Sequence, residues 1–144
     1  MCGEISFELS GELPLIYQCH CSLCRKVSGS SSNSALIVKA SNFKWCTGEH
    51  QIKSFSTNSG FKSEFCSQCG SPVPNISSHG DSYWVPAGLL SDPADTKVAA
   101  HVYVGCHANW DVGFLNDGIP QFETMPSEHM LTACCARTQH TTER

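Results

Sequence analysis

The sequence has few charged residues, and it lacks both a long apolar run and a basic cluster. Charged residues make up 15% of the 144 positions, and the formal net charge is -4. No apolar run approaches the roughly 20 residues that cross a bilayer, and no basic stripe offers the phosphate contacts that nucleic acid requires. Residues 1–4 lack the positive charge of a signal peptide. We therefore expect a cytoplasmic protein that binds neither a membrane nor nucleic acid directly.

The chain also lacks long helical periodicity and the loops of several common enzyme classes. No apolar pattern with the helical period extends beyond about two turns, and there is neither a glycine-rich phosphate loop nor a G-x-S-x-G motif. Apolar residues instead alternate or cluster in short runs bounded by turn residues, which is typical of strands. The predicted strands span residues 4–9, 13–18, 35–38, 43–46, 51–56, 61–65, 83–90 and 98–104.

The pattern predicts one mainly β domain over residues 1–126 with little helix. Residues 22–27 are expected to form a short helical turn. After residue 126 the sequence becomes polar and irregular, so residues 127–144 are expected to form a poorly ordered polar tail.

Cysteine is abundant, with ten in 144 residues. Small secreted domains use such numbers for disulfides, but this chain shows no secretion signal and is long enough to bury its own core. In a reducing compartment, clustered thiols indicate metal binding or thiol chemistry. The sequence therefore predicts that the cysteines serve a site and not a disulfide framework.

Two segments have the cysteine spacing of metal ligands. Residues 19–24 read Cys-His-Cys-Ser-Leu-Cys, and residues 66–70 read Cys-Ser-Gln-Cys-Gly. Tight turns between thiolates let them converge on a tetrahedral ion, and zinc is the ion that such sites most often hold. Together the two segments predict zinc binding.

Spacing alone leaves two groupings of these ligands open. Cys21 and Cys24 could join Cys66 and Cys69 in one closed, structural four-cysteine site. Alternatively, Cys19, Cys21 and Cys24 hold one ion by themselves, while Cys66 and Cys69 recruit ligands from elsewhere for a second ion. Three protein ligands plus an open position are typical of a catalytic zinc.

Three cysteine segments and a closing region occur in a recognisable order. The segments read Cys-Gly-Glu-Ile-Ser-Phe at 2–7, Cys-His-Cys-Ser-Leu-Cys-Arg-Lys at 19–26 and Phe-Cys-Ser-Gln-Cys-Gly-Ser-Pro at 65–72, and the closing region comprises 101–110 and 118–122. This arrangement resembles the glutathione-dependent formaldehyde-activating enzyme family, which also contains centromere protein V. The resemblance covers residues 1–126 and implies coiled antiparallel β-sheets of the Rab-binding zinc chaperone type, stabilised by two zinc ions.

The resemblance also implies a reaction and a ligand set. The family joins formaldehyde and glutathione reversibly into S-hydroxymethylglutathione, so the implied activity is that of a carbon–sulfur lyase acting on this or a related thiol adduct. The open zinc position would either bind the glutathione thiolate or polarise the aldehyde oxygen. The centromere relative implies the alternative of a non-catalytic, zinc-stabilised binding module. By analogy, the catalytic zinc would be held by Cys19, Cys21 and Cys24, and the structural zinc by Cys2, Cys66 and Cys69.

The chain departs from the family pattern at its first cysteine. The family usually opens with Cys-x-Cys-Gly, whereas this chain opens with Met1-Cys2-Gly3. The structural site is therefore expected to have one cysteine ligand fewer than usual. Candidates to complete it are water, His79, Cys46, Cys106, Cys134 and Cys135.

Further residues near the first cysteine segment are candidates for substrate binding and proton transfer. Glutathione carries carboxylates, and Arg25 and Lys26 follow the segment directly, so they are expected to bind those groups. His20 could be a proton shuttle or a fourth ligand, or it could point away from the metal. His101 and His107 are expected to have core or surface roles and not to bind metal.

Overall fold

The computed structural model describes residues 1–91 and 96–136, and within these ranges the fold is mainly β with little helix, as the sequence predicts. The strands are β1 (Ser6–Leu9), β2 (Ile16–Cys19), β3 (Asn33–Lys39), β4 (Phe43–Thr47), β5 (Ile52–Ser56), β6 (Lys62–Cys66), β7 (Asn75–Ile76), β8 (Ser82–Pro86), β9 (Val98–Val102) and β10 (Gln121–Phe122). The helices are α1 (Ser22–Ser28) and α2 (Glu128–Cys135). Neither helix in the described ranges has the length and hydropathy of a membrane span.

The central sheet joins six strands in the order β10-β9-β2-β3-β8-β7. Strands β2, β3, β8 and β7 pair antiparallel, as expected, whereas β9 lies parallel to both β2 and β10. The sheet is thus mostly antiparallel, as the resemblance implies, with two parallel pairings that the sequence does not specify. Alternation within a strand predicts the strand but does not specify the direction of a partner that is distant in sequence.

Alternating side chains give the central sheet two buried faces. One face, called here the thiol face, carries Tyr17, Cys19, Ala35, Ala100 and Val102. The opposite face carries Ile16, Leu36, Val38 and Val85. Strands β1 and β4 pair antiparallel and cover the opposite face with aromatic rings. The ring of Phe43 in β4 stacks on the ring of Tyr83 in β8, with centroids 3.7 Å apart.

The predicted hairpin of β5 and β6 forms a third, separate sheet. Ile52 pairs with Cys66 at its open end, and Ser56 pairs with Lys62 next to its turn. Because Cys66 is the last residue of β6, the following knuckle lies at a defined end of the hairpin. The hairpin thereby fixes the start of the second cysteine segment.

Helix α1 forms where the sequence predicts a helical turn. Its N-cap is Cys21, whose Sγ accepts a hydrogen bond from the backbone N–H of Cys24, and its C-cap is Gly29. Gly29 adopts a left-handed conformation (φ 63°) that glycine reaches without the steric cost of a Cβ. Both ends of this short helix are therefore specified locally.

Helix α2 corrects the expectation of a poorly ordered tail from residue 127 onward. Ser127 caps the helix by accepting a hydrogen bond from the N–H of Met130, and Leu131 and Cys135 are buried in the core. The helix packs against β9, and the carbonyl of Cys135 accepts a hydrogen bond at 2.8 Å from the N–H of Leu15, the residue directly before β2. The prediction is wrong for this helix because two apolar residues four apart suffice to bury one face. The rest of the expected tail, 137–144, lies outside the described residues.

Candidate metal centre

The first group of thiols converges at the end of β2. Cys19 is the last residue of β2, Cys21 caps α1 and Cys24 lies in the first turn of that helix. Their Sγ atoms all lie within 4.8 Å of one another. Strand end, cap and helix thus bring three thiols together within one short stretch of chain, and this set is called here the Cys19 cluster.

Burial and mutual hydrogen bonding tune the acidity of the Cys19 cluster. The hydrogen bond from the Cys24 thiol, helped by the backbone N–H of Cys21, lowers the pKa of Cys19 to about 6, although burial opposes this. The same hydrogen bond, together with burial, raises the pKa of Cys24. The cluster therefore offers one thiolate with two further thiols close by. Such a soft, anionic donor set fits zinc, whose binding to thiols releases their protons.

All three cysteines of this cluster line a cleft of about 810 Å³, called here the thiol cleft. Small-molecule sites commonly have volumes of roughly 300–1,000 Å³. Its wall is mainly apolar and includes four aromatic residues, Tyr17, Phe61, Trp84 and Tyr103. A small molecule bound in the thiol cleft would therefore contact an apolar surface beside the thiols.

Charged and polar groups from the hairpin and from β7 also line the thiol cleft. Lys62 and Glu64 are on β6, and their Nζ and Oε1 atoms are 3.1 Å apart. The Oδ1 atom of Asn75 is buried and has no hydrogen-bond partner among the described residues. An acceptor left unpaired in this way costs stability, on the order of 1–3 kcal/mol. The thiol cleft therefore offers a cation and a carboxylate, while the unpaired Asn75 oxygen is buried in its wall.

Tyr103 is the non-glycine residue with a positive φ (56°) in the described part of the chain. It directly follows β9 and lines the thiol cleft. A bulky side chain in this conformation costs roughly 1–2 kcal/mol. The backbone is thus strained at a residue that faces the cleft, a feature that no sequence pattern predicts.

The second group of thiols consists of Cys2, Cys66 and Cys69, whose Sγ atoms also lie within 4.8 Å of one another. The Sγ atoms of Cys2 and Cys66 are 3.7 Å apart. The backbone N–H of Ser71 and contacts with Cys2 lower the pKa of Cys69 to about 7. This set is called here the Cys2 cluster, and its donors also suit zinc.

The two clusters correspond to the grouping that the family resemblance implies, and not to the single four-cysteine site. Cys21 and Cys24 group with Cys19, while Cys66 and Cys69 group with Cys2. Within residues 1–91 and 96–136, no further His, Cys, Asp or Glu joins either set of three. The residues suggested to complete the structural site, namely His79, Cys46, Cys106, Cys134 and Cys135, are therefore not part of the Cys2 cluster.

Arg25 and Lys26 line a different cavity from the three thiols. Together with His107 and Trp110 they line a separate space of about 590 Å³, and Ser22 lines both spaces. Both cations lie in the last turn of α1, where they also interact favourably with the helix dipole. Their role towards glutathione carboxylates stays a prediction, while Lys62 is the cation that lines the thiol cleft itself.

His20 does not join the thiols on either side of it. Its Nε2 atom lies 2.9 Å from Nδ1 of His101, and the Nε2 atom of His101 lies 2.9 Å from Oδ2 of Asp117. Burial, helped by the nearby His101, lowers the pKa of His20. His101 has the expected core role. Neither Asp117 nor the contact between the two histidines follows from a sequence pattern, because 81 positions separate the two histidines.

Comparison with known proteins relates the chain to one family. A family model described as "Glutathione-dependent formaldehyde-activating enzyme" matches residues 1–106. No curated protein matches the chain. The crystal structure of a Rhodobacter sphaeroides protein superposes with a TM-score of 0.51 and 22% sequence identity, over 67% of this chain and 92% of that chain. At that identity the likeness concerns the fold alone.

Proposed function

We propose that this chain, which belongs to the glutathione-dependent formaldehyde-activating enzyme family, is a zinc-dependent carbon–sulfur lyase. Its substrates would be glutathione and formaldehyde, or a related pair of thiol and aldehyde, and its product S-hydroxymethylglutathione or the corresponding adduct. Zinc would be held by the Cys19 cluster for the reaction and by the Cys2 cluster for stability.

One observation carries the proposal: the three thiols of the Cys19 cluster line a cleft large enough for a tripeptide. A closed structural site would bury its ligands away from any ligand-sized space. When bound, a zinc ion in this cluster supplies a Lewis acid that lowers the pKa of a substrate thiol. Cys19, Cys21 and Cys24 would hold that ion and leave it accessible from the thiol cleft.

The polar groups of the thiol cleft complement glutathione. This tripeptide carries carboxylates, an ammonium group and amide N–H groups. Lys62 would attract a carboxylate and Glu64 the ammonium group, because their charges lie side by side in the wall.

The reaction is an addition in which every atom of both substrates is kept. The sulfur of the thiolate forms a bond to the aldehyde carbon, the carbonyl π electrons move to oxygen, and that oxygen takes up the proton that the thiol released. The reverse reaction breaks the same carbon–sulfur bond. The aromatic residues in the wall of the thiol cleft, including Tyr17 and Trp84, would exclude water while the adduct forms.

The proposal also includes a location and a redox state. Ten cysteines, none of them paired with another in the described ranges, suit the reducing cytoplasm, where glutathione is the common small thiol. In such a compartment both clusters would remain able to bind metal.

The experiment that tests the proposal measures adduct formation from glutathione and carbon-13-labelled formaldehyde by exchange NMR. The wild-type zinc protein should accelerate the exchange, and Cys24→Ser should abolish the acceleration. Cys46→Ser is the matched control, because Cys46 is exposed and belongs to neither cluster. Exchange that stays at the uncatalysed rate with the wild-type zinc protein would refute the enzyme and favour a binding module.

A further inference from the structure

Two buried histidines lie directly behind the Cys19 cluster. His20 and His101 are each only 1% exposed. Nε2 of His20 lies 2.9 Å from Nδ1 of His101, and Nε2 of His101 lies 2.9 Å from Oδ2 of Asp117. These three residues form a hydrogen-bonded series, called here the histidine relay. The ring of His20 also stacks on Phe114, with centroids 4.0 Å apart.

The direction of these hydrogen bonds follows from the carboxylate at one end. Ionised Asp117 can only accept, so Nε2 of a neutral His101 carries the proton and donates it. Nδ1 of His101 is then an acceptor, and Nε2 of His20 must donate to it. Asp117 thereby sets the orientation and tautomer of both rings, in the way that carboxylates orient histidines elsewhere.

His20 is held by its backbone as well as by its ring. Its N–H donates to the carbonyl of Val102 at 2.9 Å. Cys19 lies on the thiol face of the sheet, whereas the ring of His20 points to the opposite side, where His101 is placed by its position beside Gln18. The residue between Cys19 and Cys21 is therefore anchored behind the sheet while the neighbouring thiols face the cleft.

Packing alone does not explain this arrangement. Buried imidazoles cost free energy unless every polar atom is paired. Nδ1 of His20 is buried with no hydrogen-bond partner among the described residues, and Oδ2 of Asp111 lies 3.8 Å away. An apolar pair would fill the same space without that cost.

We propose that the histidine relay of His20, His101 and Asp117 positions the metal-binding turn, residues 19–24, with His101 as the central positioning residue. The inference rests on the metal site of the proposed function and not on its reaction. By fixing His20, the histidine relay holds the thiols of Cys19 and Cys21 at the spacing that the metal requires. Groups that orient metal ligands in this indirect way typically change metal affinity about 10- to 100-fold.

The test follows zinc release to a chromophoric chelator from the full-length zinc protein. The phase that belongs to the Cys19 cluster is identified by its absence in Cys24→Ser. His101→Gln should accelerate that phase about tenfold and leave the release from the Cys2 cluster unchanged. The cobalt-substituted variant should show shifted d–d absorption bands from the same site, because the ligand arrangement has changed.

A series at Asp117 guards against failure of His101→Gln to fold, since Asp117 is partly exposed. Asp117→Ala should accelerate release, and Asp117→Asn should do so less, because the amide oxygen still accepts from His101. His107→Gln is the control, because His107 contacts the same Phe114 ring but is not part of the histidine relay. Folded variants with unchanged release and unchanged cobalt bands would overturn the inference, as would a wild-type protein without metal in the Cys19 cluster. Accelerated release in a protein without lyase activity would support the inference and refute the proposed function.

Discussion

The backbone N–H of Cys24 donates a hydrogen bond to the Sγ atom of Cys21 at 3.3 Å. The Sγ atom of Cys21, which belongs to the Cys19 cluster, is therefore also the N-cap acceptor of helix α1. Local helix capping and the assembly of the site therefore depend on the same atom, and the two roles can be separated by substitution.

The two roles of Cys21 predict different outcomes for serine and alanine. A serine hydroxyl can still accept from the N–H of Cys24, whereas alanine removes the cap, which typically costs about 1 kcal/mol. Neither residue supplies a thiolate. Both variants should lose the metal of the Cys19 cluster and the lyase activity, and only Cys21→Ala should further lower the free energy of unfolding of the metal-free chain. Zinc content and urea denaturation measure the two effects. Full zinc content in Cys21→Ser would contradict the assignment of the thiol as a ligand.

The ion pair of Lys62 and Glu64 in the wall of the thiol cleft predicts a substrate-binding phenotype. Lys62→Met removes the charge that would attract a glutathione carboxylate, so the KM for glutathione should rise about tenfold, equivalent to about 1.4 kcal/mol. The kcat and the zinc content should stay near wild-type values, because Lys62 is not a metal donor. Steady-state kinetics with varied glutathione measures the change.

Two controls decide where the carboxylate binds. Lys53→Met removes an exposed cation from the neighbouring strand β5, outside the lining of the thiol cleft, and should leave the KM unchanged. Arg25→Met and Lys26→Met probe the second cavity. A larger rise in KM with these variants than with Lys62→Met would move the carboxylate site to that cavity.

Gly48 packs closely against the backbone of Glu4, near the Cys2 cluster. Its φ is +73°, and a Cβ at this position would meet the carbonyl oxygen of Glu4, in the segment that follows Cys2. Gly48→Ala should therefore displace that segment, lower the free energy of unfolding and accelerate metal release from the Cys2 cluster. Thermal unfolding and chelator competition measure both effects.

The matched control for this prediction is Gly29→Ala. Gly29 also has a positive φ (+63°), but a Cβ there would meet nothing within 4 Å. This variant should show only the backbone cost, on the order of 1–2 kcal/mol. Equal destabilisation by the two substitutions, with unchanged release from the Cys2 cluster, would refute the role of the close approach.

Asp81 predicts a pH dependence of stability at the rim of the thiol cleft. The Oγ–H group of Ser77 donates to its carboxylate at 2.7 Å, and with Ser82 it lowers the pKa of Asp81 below the ordinary 3.8. The folded state therefore gains stability above the ordinary pKa, and loses it as the pH falls through the lowered pKa. Urea midpoints between about pH 2 and pH 6 should show a wild-type advantage over Asp81→Asn that shrinks on acidification. Ser77→Ala removes the donor that lowers the pKa of Asp81, so the stability advantage of Asp81 over the Asp81→Asn substitution should be smaller in this background. A stability difference between wild type and Asp81→Asn that does not change with pH would contradict the account.

Local patterns predicted those parts of the molecule that local physics determines. Helix α1 follows from the cap at Cys21 and the glycine at Gly29, and the hairpin of β5 and β6 follows from alternation around a turn. The grouping of the thiols into two clusters could not be predicted from local patterns. Spacing left two groupings open, and the family resemblance favoured the one that the structure forms.

Contacts between distant segments could not be read from the sequence. The parallel pairing of β2 with β9 joins strands about 80 positions apart, and nothing within either strand specifies the other. His20 and His101 meet through that pairing. Helix α2 has only a weak sequence signal, because Leu131 and Cys135 are its buried residues. The lining of the thiol cleft by Lys62 likewise depends on how the hairpin packs.

The central claim is that the Cys19 cluster holds a metal that a thiol substrate can approach from the thiol cleft. The most direct test adds glutathione to the cobalt-substituted protein and records the absorption of each site, with Cys24→Ser and Cys66→Ser to assign the bands. The account predicts two metals per chain and a change on glutathione addition confined to the bands that disappear in Cys24→Ser. A single metal, or two metals whose bands do not respond to saturating glutathione, would contradict it.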